Sequence, residues 1–248
     1  MSAPRFFVAE LEVGRVGLSR DDSRHALRSL RLRPGEAVTV SDGRGLVGSG
    51  RLVGEGSGAA VVEVEQVERE ERPDPGVTVV VAPPTGDRVR WMVQKLTEVG
   101  VDRVRLMRSE RSVQAPPADR AEKALARLEA VAREAAMQSR RAYLVDLGWW
   151  EGELGELGSG LRGAPAGVAR VVILHQLASA RLGDLLPDAR PPEVVVAVGP
   201  EGGFSDVEVQ RAASAGAAVA SLGPAVLRTE TAAVIGSALV LARYGRLG

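Results

Sequence analysis

The chain contains no cysteine, which excludes disulfides, thiolate metal sites and cysteine nucleophiles. Histidine is almost as scarce: His25 and His175 stand far apart, so no histidine-based zinc centre is expected and the chemistry reads as metal-free. No apolar run approaches the roughly 20 residues that span a bilayer, and Met1 to Glu10 lacks a basic segment followed by an apolar one. A soluble protein with a cytoplasmic address and no membrane partner is therefore expected. An excess of one charge is missing too, because 32 basic and 32 acidic side chains cancel; such a balance at first argues against a nucleic-acid partner. Lysine is confined to Lys95 and Lys123. Arginine suits bidentate phosphate contacts, although a GC-rich genome produces the same bias.

What is present is ample core material, with 45% hydrophobic residues in a chain of 248. That length fits one large α/β domain or a small domain joined to a medium one. The charge is uneven: from Arg15 to Arg51 eight arginines face four acids, whereas the stretch to Arg72 is acid-rich. Up to residue 72 the chain reads as short β segments at Arg5–Val8, Ala37–Val40, Gly45–Gly48 and Ala59–Val67. One helical piece interrupts them. It is opened by Ser19 with Asp22 three positions on, an N-capping signature, and runs through His25-Ala-Leu-Arg-Ser-Leu30. Pro73-Asp-Pro-Gly76 then punctuates a change of pattern, and the boundary is placed there, giving domains 1–72 and 73–248.

Beyond it, continuous apolar runs alternate with helical patterns. The runs are Val77–Ala82, Val104–Met107, Val171–Leu174, Val194–Val198 and Val219–Leu222; helices are expected near Arg88–Val99 and Ala118–Ser139. Strands apolar on both faces belong to a parallel sheet covered by helices, so the second domain is α/β. Trp149–Gly167, glycine-rich and without strong periodicity, reads as an insertion or linker.

Ligands of open parallel sheets bind at the carboxyl ends of the strands, which directs attention to three loops. In Val198-Gly-Pro-Glu-Gly-Gly-Phe-Ser205 the glycines let a ligand approach the main chain, and Ser205 with Glu208 forms a capping box for the next helix. Glu201 would repel a phosphate, so the loop is either a plain tight turn or a cradle for a ligand with donors and a positive centre, such as S-adenosylmethionine. The second loop, Ser221 to Ala232, groups Arg228, Thr229 and Glu230; an ordinary N-cap with an ion pair and a catalytic set remain open. In the third, Leu174-His-Gln176, a structural histidine is the simpler reading. Glu134 and Gln138 share one helical face, either a solvated stripe or a substrate contact. Arg108–Gln114, with Arg111, is a surface loop or an RNA-backbone clamp. Arg24, Arg28, Arg31 and Arg33, beside His25, are a solvated face or a phosphate-binding patch.

Taken together, His25-Ala-Leu-Arg-Ser-Leu-Arg-Leu32, Asp42-Gly43, Gln94-Lys-Leu-Thr-Glu-Val-Gly-Val101, Glu110-Arg-Ser112, Glu134 with Gln138 and Arg141, Gly199-Pro-Glu-Gly-Gly-Phe204, Leu222-Gly223 and Leu227-Arg-Thr-Glu-Thr-Ala232 resemble, in order and spacing, the RsmE family of 16S rRNA uridine-N3 methyltransferases in the SPOUT superfamily. The resemblance spans nearly the whole chain. It implies an N-terminal PUA-like β-barrel, a C-terminal α/β domain with a trefoil-knotted parallel sheet, a homodimer, and 16S rRNA of the small ribosomal subunit as partner. By the same resemblance, S-adenosylmethionine would lie against Gly199, Pro200, Glu201, Gly202 and Gly203 and against Leu222, Gly223 and Leu227, with Leu174 closing the adenine pocket. Arg228, Glu230 and Glu134 are the catalytic candidates. Arg24, His25, Arg28, Arg31, Arg33, Arg111, Gln138 and Arg141 are the RNA-binding ones. Thr85 departs from the pattern, since the family usually has lysine before Gly86-Asp87; Val99 for leucine is a conservative change. A related SPOUT enzyme acting on another RNA, or an inert RNA-binding protein of the same fold, are the alternatives.

Overall fold

The computed structural model describes residues 3–56, 59–112, 118–157 and 169–248. They form two compact units, Met1–Arg72 with Arg133–Leu144, and Pro73–Ala132 with Val145–Gly248.

In the first unit, β1 (Arg5–Phe7), β2 (Gly14–Gly17), β3 (Ala37–Ser41), β4 (Leu46–Gly56) and β5 (Ala59–Arg69) make one sheet in the order β1-β3-β4-β5-β2, antiparallel except between β1 and β3. Ala60, Val62 and Val64 alternate into a core with Phe6, Val38, Val40 and Leu52, the period-two burial of a half-covered strand. β4 runs well past the short segment expected at Gly45–Gly48, because bulges at Ser49/Gly50 and Leu52/Gly54 keep a glycine-rich strand paired. Gly50 is required there: a Cβ would lie 2.1 Å from the Glu63 carbonyl oxygen. β2 carries no apolar alternation, two of its four residues being glycine, and only its pairing with β5 makes it a strand. The Ser19 hydroxyl accepts from the Asp22 amide to cap α1 (Arg20–Arg24), which continues as a π-helical turn over His25–Ser29.

Arg133–Leu144 joins this unit although it follows the helical run of the other. Arg133 donates to the two Asp22 carboxylate oxygens at 2.9 and 2.5 Å and to the Phe7 carbonyl at 3.0 Å. Its hydrogen bond to Asp22 raises the guanidinium pKa above its ordinary value, against the lowering effect of burial. Ser41 Oγ donates to the Ala142 carbonyl, the Leu144 amide to Gly43 and the Tyr143 hydroxyl to Glu70. A single cut after Arg72 leaves this segment out, because apolar periodicity carries no trace of an ion pair between positions 111 residues apart.

In the second unit, β6 (Gly76–Val81), β7 (Arg103–Met107), β8 (Asp146–Trp150), β9 (Ala169–Leu174), β10 (Glu193–Val198) and β11 (Ala218–Ala220) form a parallel sheet in the order β11-β9-β10-β6-β7-β8. The helices are α2 (Arg88–Val99), α3 (Ala118–Gln138, up to Ala132 in this unit), α4 (Leu182–Leu185), α5 (Asp206–Ser214) and α6 (Thr229–Arg243). Every residue of β10 is buried. Val194, Val196 and Val198 pack on one side with Met92, Leu96 and Leu241; Val195 and Ala197 pack on the other with Phe204, Leu154 and Leu157. This two-sided cover is the reason the strand sequences are continuously apolar.

The expected linker at Trp149–Gly167 is corrected over its described part. Trp149 and Trp150 end β8, and a short 3-10 turn over Leu154–Glu156 brings Leu154 and Leu157 into the core; residues 158–167 lie outside the described residues. Gly148, Gly152 and Gly155 erase the periodicity, and an edge strand has a single neighbour to betray it.

Near the opposite end of the sheet, Arg246 donates to Asp102 Oδ2 at 2.7 Å and Oδ1 at 3.2 Å and to the Gly100 carbonyl at 2.9 Å, while Asp102 Oδ2 accepts from the Val77 amide. Both side chains are buried. Arg246→Ala removes this cation from a buried, hydrogen-bonded carboxylate and is expected to cost about 3–5 kcal/mol of stability. Denaturant unfolding measures it, and a loss below about 1 kcal/mol would place the pair among weak surface contacts.

Candidate active site

The register of the parallel sheet sets the site. Val198 of β10 lies level with Val81 of β6 and Leu174 of β9, and Leu174 is level with Ala220 of β11. The segments that leave these strands, beginning at Ala82, Gly199, His175 and Ser221, therefore emerge at one edge. β10 and β6 are also where strand order reverses, since β7 and β8 extend one way from β6 and β10, β9 and β11 the other. That reversal opens a crevice for ligands.

The Gly199–Gly203 loop turns back by a hydrogen bond from the Gly203 amide to the Pro200 carbonyl, with Gly203 at φ +69°. Gly199 sits so close to the returning chain that a Cβ would lie 2.9 Å from the Phe204 nitrogen. Phe204 plugs the core beneath, and the reciprocal Ser205 and Glu208 capping bonds start α5 directly afterwards. The neighbouring loop is tied to this one: the buried Thr229 hydroxyl donates to the Gly199 carbonyl at 3.0 Å. Thr229 thus spends its hydroxyl on loop geometry. Leu222 and Leu227 are half-buried, and Gly223 takes φ +125° with open space where its side chain would be.

Arg228 is the N-cap residue of α6 but does not cap it with its side chain; it is exposed, and among the described residues it makes no ion pair. Glu230 is buried, and its Oε2 has no hydrogen-bond partner among the described residues. Arg228 and Glu230 are therefore not paired with each other, which sets aside the ordinary N-cap ion pair. Arg111 donates to the Gly202 carbonyl at 3.0 Å and so stands on the glycine loop. The His175 Nδ1 accepts from the Leu177 amide at 3.4 Å, a local turn contact.

The remaining candidates belong to the first unit. Glu134 and Gln138 are exposed on one face of α3, Arg141 is half-buried just beyond it, and Arg24, His25, Arg28, Arg31 and Arg33 are exposed in and after the π-helical turn. Arg31 takes a left-handed φ of +54°, uncommon for a side-chain-bearing residue. Of the Arg108–Gln114 segment, residues 113 and 114 fall outside the described residues. Sequence reasoning missed Arg88, which lies 2.7 Å from Glu201 and 3.9 Å from Glu230. Its position on the first turn of α2 was visible; its partners were not. Among the described residues no three His, Asp or Glu side chains gather as a metal site, and no helix is long and apolar enough to cross a membrane.

A parallel sheet that gathers a glycine loop, an unpaired arginine and a buried carboxylate at its strand-order reversal is the layout of an α/β ligand-binding enzyme domain. The model of the RNA methyltransferase domain matches residues 70–241, and that of the RNA methyltransferase PUA domain matches residues 18–65. A Mycobacterium tuberculosis protein named ribosomal RNA small subunit methyltransferase E is 35% identical over 95% of this chain and 90% of its own. The crystal structure of a ribosomal RNA small subunit methyltransferase E from Neisseria gonorrhoeae bound to S-adenosyl methionine aligns with a TM-score of 0.83 and 30% identity over 98% of each chain. A Legionella pneumophila protein in complex with the same cofactor aligns with a TM-score of 0.83, at 26% identity over 98% of each chain. The chain belongs to the ribosomal RNA small subunit methyltransferase E family of RNA methyltransferases.

Proposed function

We propose that this protein transfers the methyl group of S-adenosylmethionine to N3 of a uridine in 16S rRNA of the small ribosomal subunit. The observation that carries the reading is the tie from Thr229 to Gly199, which binds a glycine cradle to the loop bearing Arg228 and Glu230. The cradle suits the cofactor. Gly203 and Gly223 have positive φ and nothing within 4 Å of their missing side chains, so a ligand can lie on the main chain, and the orphaned Glu230 oxygen and half-buried Leu222 and Leu227 supply polar and apolar sides. Gly199 to Gly203, Leu222 to Leu227 and Leu174 would hold it.

When bound, the cofactor supplies an electrophilic methyl carbon on a sulfonium. The N3–H of uridine must lose its proton as the carbon–nitrogen bond forms and the carbon–sulfur bond breaks. Arg228, unpaired and exposed, stabilises negative charge developing on the ring oxygens. Glu230, two residues on and unsatisfied at Oε2, orients the base or accepts the proton. Gln138, Arg141 and Arg111 are assigned to RNA.

The matched PUA domain model supports a role in RNA binding for the first unit, and a closed barrel there, a knotted second unit and a cytoplasmic setting complete the proposal. Exposed Trp91 on α2 and exposed Ile235 and Leu239 on α6, two helices that pack together, support a homodimer. The arginines at 24, 28, 31 and 33 contact phosphates without reading sequence. Replacing Arg24, Arg28 and Arg31 by glutamine is expected to weaken RNA binding and flatten the slope of log affinity against log salt by about 2; an unchanged slope in filter-binding titrations refutes the patch.

The deciding experiment is mass-spectrometric nucleoside analysis of 16S rRNA after incubating unmodified small subunits with the protein and S-adenosylmethionine. Appearance of 3-methyluridine is expected. Its absence with cofactor binding intact moves the substrate to another RNA, and absence of both leaves an inert RNA-binding protein.

A further inference from the structure

Arg88 faces two carboxylates of the site, one in the glycine loop and one in the first turn of α6. Its Nη2 lies 2.7 Å from Glu201 Oε1 in the glycine loop, and its Nη1 lies 3.9 Å from Glu230 Oε2 at the start of α6. The guanidinium is itself pinned, with Nη2 donating to the Thr85 hydroxyl at 2.9 Å and Nε to the Thr85 carbonyl at 3.3 Å. Thr85 therefore turns the fork toward the loops. We propose that Arg88 is a positioning residue that fixes the Gly199–Gly203 loop through Glu201 and holds the buried Glu230 carboxylate in place, an inference that rests on reading that loop as the cofactor cradle.

The physical case has two parts. Glu201 stands between Pro200 and two glycines, in a stretch whose backbone has many accessible conformations and must be ordered before it can bind anything. A tether to a helix lowers that ordering cost and presents the loop amides preorganised. Glu230, in turn, is a buried carboxylate with an oxygen lacking any hydrogen bond, and a burial of that kind calls for a nearby cation. Arg88 is the cation within 4 Å of it among the described residues. Because the fork is rigid and each nitrogen faces a different acid, the glycine loop and the start of α6 share one anchor.

The test uses the full chain, calorimetric binding of S-adenosylmethionine, and single-turnover methyl transfer to unmodified small subunits. Arg88→Ala is expected to weaken binding about fivefold and slow transfer about tenfold, with Arg88→Lys restoring most of the binding because a point charge still holds Glu201. Glu201→Gln should weaken binding by a similar factor, and the double variant should bind within about twofold of Arg88→Ala. A merely structural role would instead give losses that multiply in the double variant and track a lowered Tm. Wild-type binding and transfer in Arg88→Ala, or multiplying losses, overturn the proposal while the cofactor reading stands. Failure of the wild-type chain to bind S-adenosylmethionine overturns both.

Discussion

Arg228→Ala is expected to slow methyl transfer by about 100-fold or more while leaving cofactor affinity within about twofold of wild type. The asymmetry follows from where the side chain stands. Arg228 is exposed at the N-cap of α6 and makes no cap bond and, among the described residues, no ion pair, so its loss disturbs no contact that shapes the glycine loop. In the proposed role Arg228 is a donor to charge that develops only during reaction, and interactions confined to the transition state act on kcat rather than on ground-state binding. Lysine should recover only part of the rate, since a point charge lacks the planar fork. Single-turnover kinetics with calorimetry separate the two quantities. A rate within about threefold of wild type would remove Arg228 from the chemistry.

Gly199→Ala should reduce affinity for S-adenosylmethionine by at least about tenfold and lower stability by about 1–3 kcal/mol. The new Cβ would stand 2.9 Å from the Phe204 nitrogen and 3.1 Å from the Gly203 carbonyl carbon, both main-chain atoms that cannot swing aside as a flexible side chain would. Phe204 is 2% exposed and locked in the core, so the strain falls on the Pro200–Gly203 turn. Because Thr229 is bonded to the Gly199 carbonyl, the displacement also reaches the loop of Arg228 and Glu230. Cofactor calorimetry and thermal unfolding check both effects. Unchanged affinity would mean that the loop is a plain turn ahead of a capped helix.

Much of the second unit was legible because its strands carry their signal residue by residue. Val194 to Val198 is apolar throughout, and Val77 to Val81 is apolar but for the buried Thr78, because both faces are covered, and no neighbour needs to be known to read that. The Ser19 and Ser205 caps were equally legible, since a cap is made with an amide two or three positions away. β8 and β2 were not, as both are short edge strands, interrupted by one glycine in β8 and two in β2, and become strands only by pairing. The site divided in the same way. The glycine loop and the Arg228 to Glu230 set could be named from their order and types, but their convergence depends on Leu174, Val198 and Ala220 being level across three strands.

By itself, then, the sequence determined everything that local chemistry controls: the absence of thiol chemistry, the covered parallel strands, the helix starts, and the motifs that place the chain in its family. Tertiary structure alone decided which distant groups share a partner. It turned the Thr229 hydroxyl inward to Gly199, set Arg88 between Glu201 and Glu230, and drew Arg133–Leu144 into the first unit through Asp22. Such contacts depend on distances of a few ångströms between positions 30 or more residues apart, and no periodicity along a chain encodes them.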